Sequence, residues 1–91
     1  KLSRAYLSSA NMPGSVLIGA NLRGADMTDA ILIGANFTKS NLLNANLTRA
    51  NLTSVNLSFA VIDLIDLEKS QFDGVIFSGT ILDGVRQPIL P

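Results

Sequence analysis

Every fifth residue from Leu2 to Leu82 is large and apolar: eleven leucines, Met12, Met27, Phe37, Phe72, Phe77 and Ile62. Two places before each stands a second column, Ala5 to Thr80, which holds all nine alanines of the chain. Its other members are Ser15, Ser40, Ser70, Val55, Val75, Ile65 and Thr80. Between the two columns the residue is Asn at 11, 21, 36, 41, 46, 51 and 56, and Asp at 26 and 66. All seven glycines fall two places after a large apolar residue, and Asn44 shares that place. A strict period of five therefore runs through nearly the whole chain.

A helix cannot use this period. At about 100° per residue a step of five advances roughly 140°, so the leucines would wander around the cylinder. In an extended segment, residues two apart point the same way. Each unit then reads as one very short strand, with a small and a large side chain inside and the Asn outside. The following place is a turn, where Gly, and next best Asn44, accepts positive φ. Strands this short favour a coil wound around its own core, each turn hydrogen-bonded to the next, as in β-solenoids. Leu22, Phe37, Leu42, Leu47, Leu52 and Leu57 are the expected centre of the tube, with both methionines and the other column phenylalanines also inside. The stacked asparagines (Asn21 over Asn41, Asn36 over Asn56) are expected to form hydrogen-bonded ladders.

Composition narrows the chemistry. The 91 residues contain no His, Cys or Trp. Zinc sites, thiol nucleophiles, Ser-His-Asp triads and imidazole acid–base chemistry are thereby excluded. Seven basic residues balance seven acidic ones, which argues against a nucleic-acid surface. Residues 1–50 carry five basic against two acidic groups, and residues 51–91 two against five, a polarity of +3 and −3. Mean hydropathy is +0.36, yet no stretch approaches the about 18 apolar residues of a membrane span. Asp63, Asp66, Glu68 and Asp73 fall on three successive units and read as a solvated acidic edge, so no metal or cofactor is expected. The glycines recur every five residues and precede no helix, unlike a phosphate loop.

The units Ala20-Asn21-Leu22-Arg23-Gly24, Ala35-Asn36-Phe37-Thr38-Lys39, Ala45-Asn46-Leu47-Thr48-Arg49 and Ala50-Asn51-Leu52-Thr53-Ser54 resemble pentapeptide repeats, A(D/N)Lxx. The resemblance covers residues 1–84. It implies an all-β fold: a right-handed quadrilateral β-helix of about four coils, in which each coil has four faces of one repeat each. After Ala50 the pattern frays, and turn places 39 to 69 hold no Gly. Different turn types are expected there, with a bulge near Val61–Ile65. Residues 1–85 form the β-helix; residues 86–91 leave it as an exit segment or as a cap that folds Ile89 and Leu90 over the open coil. Residues 1–7 enter the repeat at once, which suggests a domain cut from a longer protein rather than a coil continued by a partner.

Three functional classes follow. The leading one is a non-catalytic interaction scaffold, whose partner is another protein, an adjacent domain or a second copy; neither nucleic acid nor membrane is expected. The resemblance supplies a specific version, the substrate-recognition domain of a secreted bacterial HECT-like ubiquitin-ligase effector, and with it a bacterial cytoplasmic or host-secreted, soluble location. It also supplies an alternative, DNA mimicry of the gyrase-binding kind, which net charge zero disfavours. The third class is an enzyme, for which the chain offers no catalytic residue. The expected interface is the outward apolar group Phe59, Val61, Ile81, Leu43, Leu64 and Ile76, with Phe59 as anchor. A second group is Val16, Ile18, Ile31 and Ile33.

Overall fold

Backbone pairing links each unit to the fourth unit after it, as Tyr6 to Asp26 and Asn11 to Ile31. The computed structural model of the chain describes residues 3–63 and 67–83. Four parallel ladders run through them: Tyr6–Asp26–Asn46, Asn11–Ile31–Asn51–Gln71, Val16–Asn36–Asn56–Ile76 and Asn21–Asn41–Val61–Ile81. Most rungs are single bridges. Only β1 (Val61–Asp63) and β2 (Ile81–Asp83) lengthen into three-residue strands, paired in parallel with Val61 opposite Ile81. The first rung shows the bonding rule. Leu7 N–H donates to the carbonyl of Asp26 at 2.7 Å, Ser9 N–H to Thr28 at 2.7 Å, and Asp26 N–H back to Ala5 at 2.9 Å. Backbone groups that so short a strand cannot satisfy alone are thus bonded to the neighbouring coil.

Each unit then turns. The N–H of the next small residue bonds the carbonyl of the large one, as Ala10 to Leu7 at 3.0 Å and Ala50 to Leu47 at 2.9 Å. A left-handed φ is confined to the third residue of the turn, the type II pattern. From Lys39 to Phe59 the expected change of turn type does not occur. Lys39, Asn44, Arg49, Ser54 and Phe59 keep φ between 58° and 62°, beside 67–71° at the glycines. A residue with a Cβ loses about 1–2 kcal/mol in this region. The ladder bonds and the turn bond fix the geometry on both sides and outweigh that cost.

Of the bulge expected near Val61–Ile65, Val61–Asp63 is a regular strand and Leu64–Ile65 lie outside the described residues; among the described residues a departure is seen at Leu67–Lys69. There the chain takes a helical turn, and Lys69 is not among the left-handed residues. The ladder registers the change. Ser9 N–H bonds Thr28 and Ser54 N–H bonds Asp73, whereas Arg49 N–H bonds Lys69, one place further along than that spacing would give. By Asp73 the usual offset has returned.

The core is one column of stacked side chains. Leu22, Phe37, Leu42, Leu47, Leu52 and Leu57 are all at most 2% exposed, and Ala25, Ala30, Ala35, Ala45, Ala50 and Ala60 are fully buried beside them. Two expectations need correction at the ends. Phe72 stands in the large column but is 37% exposed, and Met12 and Phe77 are only partly buried. Within the described residues their coils have a neighbour on one side only, so half of each inward face lacks a cover.

The asparagines are used differently from expectation. Asn21–Asn41 and Asn36–Asn56 do face each other as backbone bridges. Among the described residues, however, their side-chain oxygens bond within their own unit. The Oδ1 of Asn46 accepts from Thr48 N–H at 3.1 Å and from Thr48 Oγ1 at 2.7 Å; Asn51 does the same with Thr53, and Asn56 with Ser58. These are Asx turns, which a short polar side chain can close and a longer one cannot.

Ser40 is the single buried polar residue of the described core, 2% exposed, and its Oγ has no partner. Its column otherwise favours alanine. Ser40→Ala should therefore raise stability, by about 1–2 kcal/mol, because it removes an unsatisfied hydroxyl without leaving a cavity. A urea midpoint equal to or below that of the parent would contradict this.

Candidate interaction surfaces

The four ladders leave four columns of turn residues between them, and each column has its own chemistry. Ser9, Asp29, Arg49 and Lys69 form one. Within it the Arg49 guanidinium holds the Asp29 carboxylate through two bonds, Nε–Oδ1 at 2.8 Å and Nη2–Oδ2 at 3.1 Å. This donor pulls the Asp29 carboxyl below its ordinary value and raises Arg49. The contribution is present above the ordinary carboxylate range and is lost as pH falls through the lowered value. Both groups are well exposed, so the pair adds little.

A second column runs Gly19, Lys39, Phe59, Gly79. Phe59 is 59% exposed, and its ring lies directly on Gly79. A Cβ at Gly79 would sit 2.5 Å from the ring atoms Cδ1 and Cε1, so a side chain there would displace the ring, and the φ of 67° favours glycine independently. Ile76 and Ile81, 47% and 57% exposed, stand before and after Gly79 on the ladders that flank this column. The structure thus gathers Phe59, Ile76 and Ile81 around one turn. Val61, paired with Ile81, and Leu43 are half-buried, and Leu64 lies outside the described residues.

The second apolar group brackets the column of Gly14 and Gly34. Ile31 and Ile33 lie on one side of it, Val16 and Ile18 on the other, all exposed. Gly14 N–H bonds the carbonyl of Ile33 at 2.8 Å, which ties the two coils together here. A Cβ at either glycine would meet open space.

The fourth column contains Arg4, Gly24 and Asn44, and here sequence reasoning missed a feature. Ser3, Arg4, Arg23, Gly24 and Asn44 line a pocket of about 460 Å³. The stem of Arg4 lies over Gly24, 3.3 Å from where a Cβ would be. The available signal was the period itself, which places Arg4 one coil below Gly24 and beside Arg23.

Parallel ladders at a fixed offset of four units, closed by recurrent type II turns around a stacked apolar column, define a β-helix repeat protein. The family model for pentapeptide repeats matches residues 1–38 and 30–63 in eight copies. The chain belongs to the pentapeptide-repeat family. That match ends at residue 63, shortly before the helical turn at Leu67–Lys69. Among solved structures, the chain is similar to the pentapeptide repeat protein Rfr23 from the cyanobacterium Cyanothece 51142. That alignment has 30% identity and a TM-score of 0.63, covering 89% of this chain and 52% of that one. It is also similar to a pentapeptide repeat protein from Nostoc Pcc 7120, with 29% identity, TM-score 0.66, and 88% and 62% covered. A pentapeptide repeat protein of the Arabidopsis thaliana thylakoid lumen shares the fold, at 23% identity, TM-score 0.55, and 97% and 63% covered. The chain therefore spans about half to three fifths of the length of these relatives. No curated protein matches. Among the described residues no helix is long and apolar enough to cross a membrane.

Proposed function

We propose that the chain is a non-catalytic interaction scaffold, a right-handed quadrilateral β-helix of a little over four coils that recognises a protein partner or an adjacent domain through Phe59, Ile76 and Ile81. Support for the four sides comes from the pairing itself, in which each unit bridges to the fourth unit after it. The reading of function is carried by one observation: three large apolar side chains, each about half exposed, surround a single turn. Contiguous apolar surface on a small domain marks an interface more often than scattered residues do. The Phe59 ring rests against Gly79, and that contact lowers the side-chain entropy lost on docking. The role of substrate-recognition domain in a larger ligase is one form of this scaffold and adds no residue requirement to it.

Phe59→Ser tests the reading. Serine already occupies the equivalent turn place with φ near 60° at Ser9 and Ser54, so the backbone tolerates it. The variant should keep the circular dichroism spectrum of the parent. Its association should weaken by about tenfold, as expected for loss of a hot-spot aromatic. Sedimentation velocity reads association with a second copy, and affinity capture reads a partner or neighbouring domain. Unchanged association with an intact fold removes this surface; an unfolded variant makes Phe59 a structural residue instead.

A further inference from the structure

The pocket at Ser3, Arg4, Arg23, Gly24 and Asn44 is not explained by folding. Among the described residues its lining carries two positive charges and no carboxylate. Among the described residues the ion pair is Arg49 with Asp29, in a different turn column, so Arg4 and Arg23 have no acidic partner there. The carboxylate tied to the lining, Asp63, accepts the backbone N–H of Asn44 at 3.2 Å and is not itself part of the lining. The backbone N–H groups of the two arginines and the glycine are also spent. Arg4 donates to the Arg23 carbonyl at 2.9 Å, Gly24 to Leu43 at 2.9 Å, and Arg23 to Asn21 Oδ1 at 3.2 Å. Among the described residues, the groups of the lining left without a hydrogen-bond partner are the two guanidinium forks, the Ser3 hydroxyl and the Asn44 side-chain amide.

Two like charges on one concave surface repel each other, and an anion between them reverses the sign of that interaction. Guanidinium forks match oxyanions in pairs of parallel hydrogen bonds. Gly24 keeps the floor open: a side chain there would press on the Arg4 stem. We infer that this pocket binds a phosphate monoester. Its nearly double negative charge and three acceptor oxygens suit two forks, where a carboxylate offers one charge and two oxygens. The pocket is larger than a phosphate group alone, leaving room for the hydroxyl or amide contacts of whatever carries it.

The test titrates the whole chain with inorganic phosphate, O-phosphoserine, a phosphoserine pentapeptide and acetate at constant ionic strength, followed by NMR. Saturable shifts with the phosphate probes, localised to Arg4, Arg23 and Asn44, are the expected result. Equal affinity for O-phosphoserine and its peptide supports a free ester as the ligand, and tighter peptide binding supports a phosphorylated protein. Arg4→Asn keeps a residue that adopts the left-handed turn, as Asn44 does in the same column. This variant and Arg23→Gln should each weaken phosphate binding by about tenfold, as loss of a charge-assisted fork predicts. Arg49→Gln should leave it unchanged. Equal weakening by Arg49→Gln reduces the effect to net charge and overturns the site. So does acetate binding as tightly as phosphate, or no saturation with any phosphate probe.

Discussion

Phe37→Ala should lower the unfolding free energy by about 3–5 kcal/mol, the range for truncating a buried aromatic. Phe37 is the largest fully buried side chain of the described core. It stands in the second coil, with Leu17 and Leu57 one coil away on either side, and Phe77 beyond Leu57. Its backbone cannot follow the lost volume, because Phe37 N–H is bonded to Asn56 at 2.8 Å and its carbonyl closes the turn to Ser40. Collapse of the cavity is therefore limited, which places the cost high in the range. Ile18→Ala, at a residue 56% exposed, removes apolar atoms from the outside and should change the urea midpoint little. Similar midpoints for the two variants would contradict the inside and outside assignments.

The second large effect is overpacking of the small column. Ala50→Leu should destabilise by about 1–3 kcal/mol or more, while Ala50→Ser should cost far less. Ala50 is fully buried, between Ala30 in one adjoining coil and Ser70 in the next. Three backbone bonds hold the position: Ala50 N–H to Leu47, Gln71 N–H to Ala50, and Asn51 N–H to Ala30. Extra methylenes can be accommodated only by forcing coils apart and breaking such bonds. Thermal melts that rank the leucine variant with the parent would show open space behind the alanines.

Most of the coil was legible because burial and period coincide. Residues two apart in an extended unit must share a face, so alternation of Ala, Asn and Leu sorts inside from outside without reference to any contact. Turn chemistry was legible where Gly or Asn marked it. It was misread at Lys39, Arg49 and Phe59, because the ladder bonds that hold a residue at positive φ come from the adjoining coil, far away in sequence. The role of asparagine was misread for the opposite reason. Its oxygen bonds two places on, and the Thr or Ser that follows at 38, 48, 53 and 58 was the overlooked sign. Exposed apolar groups could be enumerated from the period. The ring of Phe59 on Gly79 and the pocket between Arg4 and Arg23 depend on side-chain direction at a turn, which the period does not specify.

The constant offset between paired coils makes chain length itself a geometric instruction. Removing four consecutive units, such as residues 30–49, returns every later residue to the ladder it already occupied and shortens the molecule by one coil. Removing a single unit, such as residues 45–49, moves everything after the cut to the neighbouring ladder while leaving each unit intact. Phe59, Ile76 and Ile81 would travel together, still wrapped around Gly79, yet they would face a new direction relative to Val16, Ile18, Ile31 and Ile33. The angle between the two apolar groups is thus encoded by counting residues, so insertions of one unit can re-aim a binding surface that no substitution has touched.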